Sequence, residues 1–184
     1  MRWERLFDDL EAQVAEAEHA SLGAEVADRT RRELARVRLA DRFRSAVGRQ
    51  VTIVVAGLGR VTGSVQAAGP DWLLVSERTG SETVVRIAAV VSVAGLGSQA
   101  AVAGTEGEVG ARLGLAYVLR GIARDRSDVV MSITDGSTLT GRVDRVGADF
   151  VDIAVWAGTP DGGAEPLGTR AVPFSAIGAL RRTV

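Results

Sequence analysis

The 184-residue chain has no cysteine, no lysine and no asparagine, and it has a single histidine and four prolines. Without cysteine there can be no disulfide framework, no thiolate nucleophile and no Cys/His zinc site. That usage fits a reducing compartment, so a cytoplasmic location is expected. The lone His19 sits beside Glu16 and Glu18 and reads as an exposed helix residue. Its position leaves the many Ser and Thr hydroxyls without an imidazole base. No apolar run approaches the ~18–20 residues of a membrane-spanning helix. The opening MRWERLFDDLEAQ carries acids where a secretory leader needs an apolar stretch. No charge of one sign dominates: the net charge is −1, which excludes a globally basic nucleic-acid binder. All 22 basic residues are Arg, a composition expected of GC-rich coding of the actinobacterial type. The absences together lead to an expectation of no enzyme, no cofactor, no metal and no small-molecule ligand.

What the chain does have begins with helix formers. Residues 2–47 contain no proline and are dominated by Ala, Leu, Glu and Arg, which predicts a long helix, or two joined near Ser21 with Gly23 as the weak point. Charge along it is polarised. Residues 1–28 hold eight acids and two Arg, and residues 29–50 hold eight Arg and two acids. Arg31, Arg38, Arg42 and Arg49 are spaced to share one helix face, with Val37, Ala40, Phe43 and Val47 on roughly the opposite face. That Arg face is the first candidate binding surface. Trp3 and Phe7, near the amphipathic start, are the second, because Trp is enriched at binding hot spots. The plainer readings are a solvated face and core packing.

The β-rich part is written twice. Val51–Val75 reads VTIVVAGLGRVTGSVQAAGPDWLLV and Val129–Ile153 reads VVMSITDGSTLTGRVDRVGADFVDI. Gly63 falls on Gly141, Gly69 on Gly147, Asp71 on Asp149 and Trp72 on Phe150. Strands are predicted at 51–55, 60–67, 72–77, 83–87 and 90–93, with turns at Gly69-Pro70-Asp71, Asp135-Gly136 and Gly147-Ala148-Asp149. A second helix is predicted over 108–124. Asp71 and Asp149 read as turn residues more readily than as paired acid sites. Asp144, Asp149 and Asp152 do not gather on one face of a strand, and no calcium-loop spacing is present.

A helix followed by five short, bent strands, with Leu139-Thr140-Gly141-Arg142-Val143 and a closing Val172-Pro173-Phe174-Ser175-Ala176-Ile177, resembles the Sm-like (LSm) family of small, SH3-like β-barrels. The resemblance implies tandem helix-plus-barrel units, edge-strand pairing and single-stranded RNA binding. The chain departs from the family's RNA-binding pattern: Gly147 and Val151, and Gly69 and Leu73, lie near the places of its Asp and polar residue. The expected fold class is therefore α+β, a long N-terminal helix and a five-stranded barrel followed by a second helix and barrel. The expected segments are a charged helix over 1–47, a first barrel over 48–98, a linker over 99–107 and a helix with a second barrel over 108–184. The expected function is a non-catalytic assembly or adaptor module, binding a protein partner or a second copy through the charged helix and barrel edges. The alternative is a divergent RNA binder using the Arg face at 29–49.

Overall fold

The computed structural model describes residues 25, 27–101, 113–157 and 165–182. The chain divides after Val37 into two compact units. In the first, a helix (α1, residues 27–34) is exposed along its length and held by local pairs. Arg29 pairs with Glu33 at 3.1 Å and Arg31 with Asp28 at 2.6 Å.

A single helix over 2–47 is not what forms. Within the described residues the backbone leaves the helix at 35–38 and restarts as a short helix (α2, Leu39–Ser45). The cause is Asp41. Its carboxylate accepts the Arg38 backbone N–H at 2.8 Å, in place of an i−4 carbonyl, and Arg38 is extended at φ −90°, ψ 157°. A carboxylate at the third helical position that accepts the N-cap N–H caps the new helix. Ala40 and Phe43 of the expected apolar stripe are buried, whereas Val47 is exposed. Ser21, Gly23, Trp3 and Phe7 lie outside the described residues.

The rest of the second unit is built on β-structure. Ten strands follow: β1 (Gln50–Val55), β2 (Gly59–Ala68), β3 (Trp72–Glu77), β4 (Glu82–Arg86), β5 (Val90–Ala94), β6 (Asp128–Ile133), β7 (Thr138–Val146), β8 (Phe150–Ala157), β9 (Glu165–Pro173) and β10 (Ile177–Arg182). A helix (α3, Leu115–Arg124) precedes β6. The strands form one antiparallel sheet in the order β5-β1-β2-β3-β4-β10-β6-β7-β8-β9. It is open, with β5 at one edge and β9 at the other.

This corrects the expectation of Sm-like or SH3-like barrels in a tandem helix-plus-barrel arrangement. Neither group of five strands closes on itself. Instead β4 and β10 pair and merge both groups into one sheet, through Ala179 opposite Val85, Leu180 opposite Val84 and Arg181 opposite Thr83. Apolar alternation specifies strands and their faces, but not whether a sheet closes or continues. The sequence echo survives as matched positions within this one sheet. Gly63 lies opposite Glu77 and Gly141 opposite Val155, and a register shift follows each glycine, at Val65/Ala67 and Val143/Arg145. A Cβ at Gly63 would lie 2.2 Å from the Ser76 carbonyl oxygen, and at Gly141 2.1 Å from that of Ala154, so close backbone approach fixes both glycines.

Two apolar clusters line the sheet. One gathers Ile53, Val61, Leu73 and Val75 under Phe43 of α2. The other gathers Met131, Val143, Val151 and Ile153 under Leu115 and Leu119 of α3. They are not independent: Ala179 of β10 belongs to the first cluster, and Trp72 and Val84 pack on the second. Among the described residues no helix is long and apolar enough to cross a membrane.

Candidate interaction surface

The feature most relevant to recognition is the pair of free sheet edges. An edge strand presents unpaired backbone N–H and C=O groups, which another strand can satisfy. β5 is short, pairs only with β1 among the described residues, and exposes Val91. β9 is longer, pairs only with β8 among the described residues, and is exposed at every position except Val172. Pro166 and Pro173 stand near its two ends, where they remove N–H donors. The stretch from Gly168 to Val172 is the unblocked part of this edge.

The β4–β10 joint shows how this sheet accepts a strand. Its three residue pairs are reinforced by side chains. Arg86 donates to the carbonyl oxygens of Ile177, at 2.7 Å, and Ser175, at 2.6 Å. Burial lowers the pKa of this guanidinium, and the nearby Asp71 carboxylate acts against that shift. From the other side Arg181 donates to Thr83 Oγ1 at 3.0 Å and to Glu77 Oε1 at 2.7 Å. A third tie comes from the β2–β3 turn. Asp71 Oδ1 accepts the Leu115 N–H at 2.8 Å, which caps α3, and Trp72 Nε1 donates to the Leu113 carbonyl at 2.6 Å. Asp71 thus does more than local turn chemistry, although it is exposed, as is Asp149 at the matching turn. Their shared place in the echo could not reveal this difference, because among the described residues only Asp71 has a helix N-terminus in reach.

The arginines expected to share one helix face do not belong to one helix. Arg31 lies in α1, in the first unit, and pairs with Asp28. Arg38 precedes α2, with its guanidinium 3.5 Å from Asp41. Arg42 donates to the Gly97 carbonyl at 2.7 Å, and the Arg49 guanidinium also lies beside Gly97. Arg42 and Arg49 therefore hold the segment after β5. Ser45 Oγ helps by donating to the Gln99 carbonyl, and the Ala101 N–H donates to that of Asp41. Under this layer sits the Asp41 carboxylate, fully buried and paired with Arg44. Burial pushes its pKa up, but the Arg38 N–H and the Arg38 and Arg44 cations outweigh burial and hold it below 3.8.

No cluster of three or more His, Asp or Glu side chains suited to a metal ion occurs among the described residues. Asp152 pairs with Arg145 at 2.9 Å, and Asp128 with Arg142 at 2.7 Å. The Arg142 guanidinium also lies 5.8 Å from the centre of the Trp156 ring. No family model, no curated protein and no solved structure matches this chain.

Proposed function

We propose that this protein is a non-catalytic assembly or adaptor module that takes up an extended segment of a protein partner along a free edge of its sheet. The observation carrying this reading is the open ten-stranded sheet with unpaired β5 and β9 edges. Strand addition draws affinity from main-chain hydrogen bonds and specificity from alternate side chains. The unblocked part of β9, Gly168–Val172, suits such a strand. Arg170, exposed within it, gives the added segment a cation to meet.

The test places a photo-crosslinking residue at Arg170 and, as a control, at Arg60, which is exposed on β2 away from both edges. A discrete protein adduct at 170 and not at 60 is expected. It should disappear when Thr169 or Arg170 is replaced by Pro in a chain labelled at Ala171, because one of two adjacent residues directs its N–H outward. Equal adducts at both sites, or an adduct insensitive to both prolines, would sink the reading.

A further inference from the structure

The two free edges occupy the same strand positions as the two strands of the internal joint. β5 stands in the first group of five where β10 stands in the second, and β9 stands where β4 does. Backbone hydrogen bonds fix the correspondence. The Ala56 N–H donates to the Ala89 carbonyl and the Thr134 N–H to that of Ala176, both at 2.9 Å. Each of β5 and β10 also carries one residue that its neighbour's register skips, Val91 in β5 and Gly178 in β10. A second copy of the chain could therefore continue the sheet, β9 against β5, placing Ala171 opposite Val93 as Val84 stands opposite Leu180.

The skipped residue decides whether this can happen. A Cβ on Gly178 would lie 2.5 Å from the carbonyl oxygen of Ala56, which belongs to the other group of strands. A side chain at residue 178 would thus force the backbones of the internal joint apart. At the free edge the same place holds Val91, 68% exposed. An incoming copy would bring the Thr134 carbonyl, the counterpart of Ala56, against its isopropyl group. The clamps are missing as well: Pro173 replaces Arg86, Ala94 replaces Arg181, and Arg170 replaces Thr83.

We infer that Val91 bars a second copy of this chain from continuing the sheet, so that the joint is made once, inside the molecule, and the edges stay open to other strands. Proteins commonly guard edge strands against their own kind by such local features. The inference concerns copy-to-copy pairing and stands whether or not a partner uses β9.

The test uses the absence of native cysteine. One protein carries Val93→Cys and another Ala171→Cys, both in a background where Ala94→Arg, Arg170→Thr and Pro173→Arg rebuild the Arg86 clamp and the Arg181–Thr83 contact. The two are mixed under mild oxidation and resolved on a non-reducing gel. With Val91 retained, no disulfide between copies is expected. With Val91→Gly it should appear in the mixture and in neither protein alone. Val91→Ala should remain blocked, because the Cβ itself is the obstacle. Cross-linking of equal yield with Val91 retained, or none in a cooperatively melting Val91→Gly protein, would overturn the inference. Gly178→Ala checks the steric premise separately: it should lower the thermal midpoint, and an unchanged midpoint would also overturn the inference.

Discussion

At the scale of the residue, Asp41 carries the most consequence. It is a buried carboxylate whose oxygens cap one helix and hold the side chain of Arg44. Asp41→Asn removes the charge while keeping the shape, and a loss of about 1–3 kcal/mol in unfolding free energy is expected in denaturant titration. The pH dependence follows from the direction of its shift. The folded-state pKa lies below the unfolded value, so its stabilisation is fully present above about pH 4. It is lost as pH falls through the folded pKa. The wild type should therefore lose stability on acidification in that range, and Asp41→Asn should reduce the loss. A second test concerns glycine. Gly57 has φ +76°, and a Cβ there would lie 1.7 Å from the Ile133 carbonyl oxygen, whereas a Cβ on Gly48, at φ +82°, meets nothing within 4 Å. Both alanine variants bear the backbone strain of about 1 kcal/mol, but only Gly57→Ala adds a clash with backbone. Gly57→Ala should melt well below Gly48→Ala in calorimetry.

At the scale of the element, the β4–β10 pair is short and leans on arginines. The exposed ion pairs of α1 contribute little, since water screens them. Arg86 is different because it is partly buried and bonded to two backbone carbonyls. Arg86→Met keeps the aliphatic stem but leaves both acceptors without their donor, with an expected loss of about 1.5–3 kcal/mol. Hydrogen exchange should show faster opening at the amides of β4 and β10, while β2 and β7 keep their protection. Uniformly faster exchange across the sheet would mean that the joint is not a local weak point. α2 and α3 show how much of an element is legible beforehand. The Leu115 and Leu119 spacing marks α3 as a one-sided helix, and that is how it packs. The break between α1 and α2 was not legible, because it depends on burying Asp41 beneath the segment after β5, some 60 residues along the chain.

At the scale of the whole molecule, the joint couples the two cores. Ala179 of β10 packs in the first core, and Trp72 and Val84 of β3 and β4 pack on the second. The unit from Arg38 onward should therefore unfold in a single cooperative transition, with calorimetric and van't Hoff enthalpies in agreement. Combining Arg86→Met with Arg181→Met should separate it into two transitions. The candidate interaction surface belongs to this scale too. No residue motif marks β5 as an edge, and the prolines of β9 suit an edge without showing which strand lies beside it.

The sequence by itself determined the strands of the first β-rich stretch, the turns and which faces are apolar, because alternation, glycine and Asp-Gly turns act through neighbours a few residues away. It also determined the positional match between its two β-rich stretches, because the same glycines meet the same backbone approaches in each. Only the tertiary structure decided that these stretches share one open sheet instead of closing into barrels. It alone brought Arg42 and Arg49 together on Gly97, and it alone left β5 and β9 as edges among the described strands. Those outcomes depend on which of several chemically similar strands pairs with which. That choice is made by long-range contacts such as Arg86 on Ile177 and the bare backbone of Gly178 against Ala56, between residues far apart in the chain.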